Sequence, residues 1–321
     1  MQYKIGSMNM KNWSFSSSKD KTKIAEIILS EDFDVVALQE ILSEGKDVDN
    51  FVKYELYDWD YCWASPRESS DINKEKELSV EDRRGEGYAY LWKKSKFKIA
   101  EYSKLGVKRI FAPRIVNSNG NDVDVDCTFF ARTPYYIRLQ PLYGGFFDLR
   151  LINIHIYYGS NTTSDLEKRR KEFDVLTQEI YPQICERRYG DFRPAYTVAM
   201  GDYNLNILSP FTKTTIGRKD AYLSEVYSYQ DGKQDVKVLT VQSQLTTLRD
   251  TDRCPELLNS SLSEDMYANN YDHFTYSPEL SSFSRVSYGV IDAVNKYCDG
   301  DYSYYRKKIS DHLPIVMTVE I

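Results

Sequence analysis

The chain has 321 residues, of which 41% are hydrophobic and 28% charged, and its formal net charge is −6. That length can bury a large core without staples, and the balance excludes a disordered or low-complexity chain. The negative charge excludes bulk electrostatic capture of nucleic acid or anionic membrane and leaves only a local basic patch for such a partner. No run approaches the roughly 18 apolar residues of a membrane span. Cys62, Cys127, Cys185, Cys254 and Cys298 are scattered, with no metal-type spacing. They read as free thiols of a reducing compartment, so a cytoplasmic location is expected, or secretion if a signal segment was removed. With no repeat and no linker, residues 1–321 are expected to form one domain.

The 27 Tyr, 14 Phe and 4 Trp favour strands. Residues 2–10 read as a strand, and Ile24, Ile27 and Ile28 mark one face of a helix. DVVALQE (34–40) is a buried strand ending in two polar residues. Ser65 to Glu86 is nearly all polar and reads as a mobile loop, followed by the strand GYAYLWKK (87–94). Asn117-Ser118-Asn119-Gly120 predicts a hairpin, because Asn-Gly accepts positive φ. Asp122, Asp124 and Asp126 alternate beyond it and read as a solvated strand face, with a structural Ca²⁺ site as the minority alternative. In RLINIHIYY (150–158), Ile152, Ile154 and Ile156 take one face while Asn153, His155 and Tyr157 take the other.

Ser164 with Glu167 predicts a capping box, and Phe173, Leu176, Ile180 and Ile184 form the stripe of the helix it opens. YTVAMGDYN (196–204) and HLPIVMTVEI are the remaining clear strands. Strands outnumber helices, and helices lie between some of them. The expected architecture is α/β (α+β): a two-layer sandwich of mixed sheets flanked by helices.

Polar residues gather at strand ends. They are Asn9, Glu40, Glu86, His155, Asp202, Asn204, Asp272, Asp311 and His312. Each alone reads as a solvated cap or a satisfied surface residue, but together each sits beside a buried strand that could hold it rigid. MNM, LQE, NIH, GDYN and SDHLP, in this order across nearly the whole chain, resemble the endonuclease/exonuclease/phosphatase superfamily. The deoxyribonuclease I-like branch is the nearest resemblance, through Glu86 in GEGYAYLW, Arg132 in ARTP and the stretch LTTLRD before YDHF. Two features depart from that branch: His273 follows Asp272 where it has Arg, and the small disulfide loop that often follows GDFN in secreted members is not apparent; the Trp-Cys-Asp-Arg pattern of inositol phosphatases is also absent.

The resemblance implies a metal-dependent phosphodiesterase acting on nucleic acid, most readily a DNA endonuclease. Glu40, Asn9 and Asp311 would hold Mg²⁺ or Mn²⁺, which favours oxygen donors. Asp202 would orient the attacking water or complete a second metal position, and Asn204 and Arg132 would hold phosphate oxygens. His155 with Glu86, and His312 with Asp272, would move protons, while His273 would be structural. The basic run Lys168–Lys171 reads as a solvated face, whereas Arg306, Lys307 and Lys308 could contact a phosphate backbone beside the site. The alternatives are a phosphatase or phosphodiesterase for a phospholipid, inositol phosphate or nucleotide, and a non-catalytic binding module.

Overall fold

Alternation sorts every central strand into an inner and an outer face, and the two inner faces meet. The computed structural model describes residues 1–14, 18–42, 46–64, 86–104, 107–117, 122–160, 162–190, 192–206, 226–230, 235–241, 244–250, 266–277, 280 and 285–321. Among these, one sheet orders β15 (Arg285–Val290), β16 (Ile315–Glu320), β1 (Gln2–Trp13), β2 (Val35–Ile41), β4 (Gly87–Lys93) and β3 (Trp59–Ala64). The other orders β12 (Val226–Gln230), β13 (Asp235–Val241), β14 (Asp272–Tyr276), β11 (Ala195–Asp202), β10 (Asp148–His155), β9 (Tyr135–Pro141) and β5 (Phe97–Ile99), with β8 (Arg114–Ile115) also on β9. A separate hairpin pairs β6 (Glu101–Lys104) with β7 (Val107–Ile110).

Tyr3, Ile5, Val35, Ala37, Tyr88 and Tyr90 of the first sheet pack on Ile137, Leu149, Leu151, Val198, Met200 and Phe274 of the second. The outer face of the first sheet is covered by α1 (Lys21–Ser30), α2 (Lys46–Glu55), α5 (Ala293–Tyr297) and α6 (Tyr302–Lys308). The second is covered by α3 (Thr163–Val175), a π-helical turn (Leu176–Ile180) and α4 (Tyr181–Glu186). This is the expected two-layer sandwich with flanking helices.

Each sheet centres on a parallel pair, β1 with β2 and β10 with β11, and the remaining pairings are antiparallel. The C-terminal ends of those four strands therefore meet the N-terminal ends of β4, β9, β14 and β16 at a single rim. Below that rim lies a polar layer between the sheets. Gln39 donates to Ser7 Oγ (3.0 Å) and Asn153 Oδ1 (2.7 Å), and Asn153 donates to the carbonyls of Leu38 and Ala89. Of the polar face expected for residues 150–158, Asn153 is thus buried between the sheets, while Tyr157 is half-buried and donates its hydroxyl to Asp165.

Several local expectations are corrected. Residues 118–121, at the expected Asn-Gly hairpin, and 65–85, the expected loop, lie outside the described residues, as does Cys254. The segment after residue 121 is not a strand. Asp122 is buried and pairs with Arg114, while Asp126 accepts from Thr128, so the three aspartates share no solvated face. The cap of α3 is Thr162, not Ser164, and Asp165 rather than Glu167 completes it, accepting from Thr162 Oγ1 at 2.6 Å and from Ser160 N at 3.1 Å. Cys62, Cys127, Cys185 and Cys298 are free thiols, and among the described residues no helix is long and apolar enough to cross a membrane.

Candidate active site

Inward alternation carries Asn9, His155, Asp202 and Asp272 to the rim directly. Glu40 needs a further device, because regular alternation would send it outward with Val36 and Leu38. The pairing of β2 with both neighbours slips there, and Glu40 takes φ 58°, a left-handed backbone uncommon outside glycine. The kink returns its carboxylate to the site and lets Ile41 join the outer core.

Two imidazoles converge on one carboxylate. His155 Nε2 lies 3.5 Å from Asp202 Oδ2 and His312 Nε2 lies 3.6 Å from the same oxygen. Behind each ring stands a second carboxylate: Glu86 Oε2 is 2.8 Å from His155 Nδ1, and Asp272 Oδ2 is 2.8 Å from His312 Nδ1. The His312–Asp272 contact is a hydrogen bond, whereas the His155–Glu86 contact is equally close but outside good hydrogen-bond angles. Among the described residues, the two groups of side chains that could hold a metal ion are Glu40, Glu86 and His155, and Asp202, Asp272 and His312.

Asn9 joins the halves, its Nδ2 donating to Glu40 Oε1 at 2.9 Å and to Asp202 Oδ2 at 3.0 Å. The Lys11 N–H needs an acceptor and takes Asn9 Oδ1 at 2.9 Å, which fixes the orientation of the amide. Asn9 therefore bridges the carboxylates here and turns its oxygen away from them. Asn12 N holds Glu40 Oε2 at 2.8 Å.

Asp311 stands on the same side, its Oδ2 3.0 Å from Lys11 Nζ and 3.8 Å from Arg306 Nη2. Ser310 Oγ donates to Asn9 O and accepts from His312 N, tying the SDHLP segment to β1. The LTTLRD stretch brackets the same segment. Leu248 N donates to Asp311 O, Leu313 N to Thr246 O, and Thr246 Oγ1 accepts from Asp272 N.

Burial and crowded charge set the electrostatics. Burial pushes the Glu40 carboxyl up, and the charges of Glu86 and Asp311 add to it. Burial likewise raises Asp202, against the pull of His312 and His155. Burial would raise Glu86 too, but Arg132 and His155 overcome it and hold it at about 2. For His312, burial disfavours the imidazolium, yet Asp272 and Asp202 outweigh it and hold the ring protonated well above the ordinary range. Lys19 Nζ donates to Ile309 O, and burial, with the charge of Lys11, lowers that ammonium to about 8 despite Asp311 and Glu40.

Three expected roles meet a different geometry. Arg132 is spent inside the protein, 3.2 Å from Glu86 and donating to the carbonyls of His155 and Ile156. It braces Glu86 rather than presenting a free fork. Arg306 is engaged by Asp250, Asp311 and Leu248 O, so it is not an open phosphate patch. Arg169, inside the run read as a solvated face, is buried and donates to the carbonyls of Tyr158 and Asn204. Asn204, at φ 50°, donates to Ile156 O and gives its N–H to Asp202 Oδ1. His273 faces away from the dyads, its Nε2 against the carbonyls of Leu205 and Asn270. Lys11, Lys19 and Ser310 are site residues that sequence reasoning passed over. Only Ser310 had a signal, as a member of SDHLP.

No protein-family model matches the sequence, and a search of curated proteins finds no match. Solved structures do match, along essentially the whole chain. An endonuclease/exonuclease/phosphatase family protein from Bacteroides thetaiotaomicron is 14% identical at a TM-score of 0.53, covering 99% of this chain and 95% of that one. The chain has the deoxyribonuclease I-like fold. D. rerio TDP2, complexed with single strand DNA product, shares this deoxyribonuclease I-like arrangement at 16% identity and a TM-score of 0.53, covering 100% and 99% of the two chains. The mannosyl-6-phosphatase Bt3783 of Bacteroides thetaiotaomicron follows at 14% and 0.50, covering 99% and 100%. At such identities the likeness is one of fold.

Proposed function

We propose that the chain is a divalent-metal-dependent phosphodiesterase of nucleic acid, with DNA as its preferred substrate. The observation that carries this is the double dyad: two imidazoles, each backed by a carboxylate at 2.8 Å, aimed at one oxygen of Asp202. Hydrolysis of a phosphodiester needs one group to take a proton from water and another to give one to the leaving alkoxide. Two imidazoles facing one carboxylate oxygen meet that need. Asp202 orients the water, and Glu86 and Asp272 stand behind the two rings and orient them. Arg132 keeps Glu86 ionised, and Asn204, with one Nδ2 hydrogen on Ile156 O, has the other for a phosphate oxygen.

The site also fits a hard cation such as Mg²⁺ or Mn²⁺. Its donors are carboxylate oxygens, and Glu40, raised first by burial, also feels the charges of Glu86 and Asp311. Glu40 and Asp311 would hold the ion, with Asn9 steadying Glu40; bound there, it would neutralise charge on the phosphoryl oxygens. The fold shared with TDP2 carrying a single strand DNA product supports a nucleic-acid substrate. Plasmid or oligonucleotide cleavage should vanish in chelator and return with Mg²⁺ or Mn²⁺. His155→Ala and His312→Ala should each lose about 10²–10⁴-fold in rate. Full cleavage in chelator, or normal turnover by both histidine variants, overturns the reading. A phosphomonoesterase is the second reading, favoured by Lys11 and Lys19 beside Asp311 and by the likeness to Bt3783. Rapid hydrolysis of a sugar phosphate with none of DNA or RNA would select it.

A further inference from the structure

The rim carries an aromatic feature that the proposed chemistry leaves unused. Tyr158 lies three residues past His155 and is 46% exposed. Its position is nonetheless fixed. The guanidinium of the buried Arg169 lies over the ring, 4.7 Å from its centroid, while Arg169 Nε donates to Tyr158 O at 2.8 Å and Nη1 to Asn204 O at 3.1 Å. Tyr271, the residue before Asp272, meets the ring at 63° with centroids 6.5 Å apart. The same loops are latched by Asn206 Oδ1, which accepts from Asn270 N at 2.6 Å. An aromatic ring is thus held in place three residues past His155, with one face backed by a cation, Tyr271 at its edge and nearly half of the residue exposed.

We propose that Tyr158, with Tyr271, forms a nucleobase subsite that takes the base of the nucleotide whose phosphate lies at the double dyad. This rests on the phosphodiesterase reading and names the substrate class within it. Every base has a π face, so an aromatic platform binds bases with little regard to sequence, and the backing guanidinium adds a cation–π contribution to the rigidity of the platform. A base can stack on a protein ring only after leaving its own helical stack. The substrate class is therefore a nucleotide in a single strand or at a frayed end, not one inside an intact duplex. A bare sugar phosphate or an alkyl phosphoester presents no flat face to Tyr158 and gains nothing from it.

The test compares binding of thymidine 5′-monophosphate and 2-deoxyribose 5-phosphate, which differ only in the base, by calorimetry in Mg²⁺. The wild-type protein should hold the nucleotide roughly tenfold or more tighter. Tyr158→Ala should bring the two affinities within about twofold, and Tyr158→Phe, which keeps the ring, should preserve the gap. Equal affinities in the wild type, no measurable binding of either compound, or a preference that survives Tyr158→Ala would each overturn the subsite. A protein that shows the base preference yet cleaves no phosphodiester with Mg²⁺ or Mn²⁺ would overturn the phosphodiesterase reading and leave the subsite standing.

Discussion

His273 lies on β14 and His312 in the segment just before β16, yet their surroundings drive them to opposite protonation states. Carboxylates face His312, whereas His273 is fully buried, and burial lowers it to about 4 even though the carbonyls of Leu205 and Asn270 favour its charged form. An unfolded histidine titrates near 6.5. Between about pH 6.5 and 4 the unfolded chain therefore binds a proton that the folded chain refuses, and stability falls as pH drops through that window. The full effect is roughly 3 kcal/mol at the acid end. Urea unfolding of the wild type and His273→Gln at pH 7 and pH 4.5 should show the variant losing less on acidification; equal losses would refute the assignment. The Asp272-His273 pair also shows what a short motif conveys. Strand alternation alone separates the two side chains, and they do face opposite sides. The rim arginines were harder, because a basic residue in sequence carries no mark of the carbonyl it will meet. Arg132, Arg169 and Arg306 all turned inward for that reason.

Among the elements, the parallel pairing of β10 with β11 carries the most exacting fit. Gly201 lies opposite Ile154 at φ 144°, where an added Cβ would stand 1.9 Å from Ile154 O. Both the backbone angle and the carbonyl forbid a side chain. Gly201→Ala should cost more than about 2 kcal/mol and should displace Asp202, the next residue, so that turnover drops further than the loss of folded protein explains. A variant with wild-type urea midpoint and rate would refute this. Element positions were readable from alternation and helical spacing, while two local details were not. The stretch Asn161 to Glu167 contains overlapping cap patterns, and Asp165 wins because Tyr157, Ser160 and Thr162 all donate to it. Glu40 reaches the site through a left-handed backbone that its residue type does not announce. Its role was legible only from a resemblance in motif order.

At the scale of the whole molecule, a net charge of −6 must be reconciled with the polyanionic substrate proposed above. With Arg306 engaged by Asp250 and Leu248 O, Lys11, 3.0 Å from Asp311, and Lys19, whose charge feels Asp311 and Glu40, are the site cations offered to a phosphate, so few phosphates can be neutralised. For a single strand, two such contacts give a log–log salt slope of roughly −1 to −2. Anisotropy of a labelled single-stranded oligonucleotide, measured from low to moderate salt, should fall in that range; a slope steeper than about −4 would place a larger cationic surface on the protein. The sheet order has another consequence, in time rather than in space. β1 lies between β2 and β16, so the first strand waits for a partner whose register joins Gln2 to Glu320. While the chain is being made, β1 can pair with β2, but its other edge stays bare until the last strand emerges from the ribosome. Asp311 and His312 arrive with that strand. Pairing at so large a sequence separation belongs to the slow end of folding, and the proposed catalytic groups come together only as the sheet itself does.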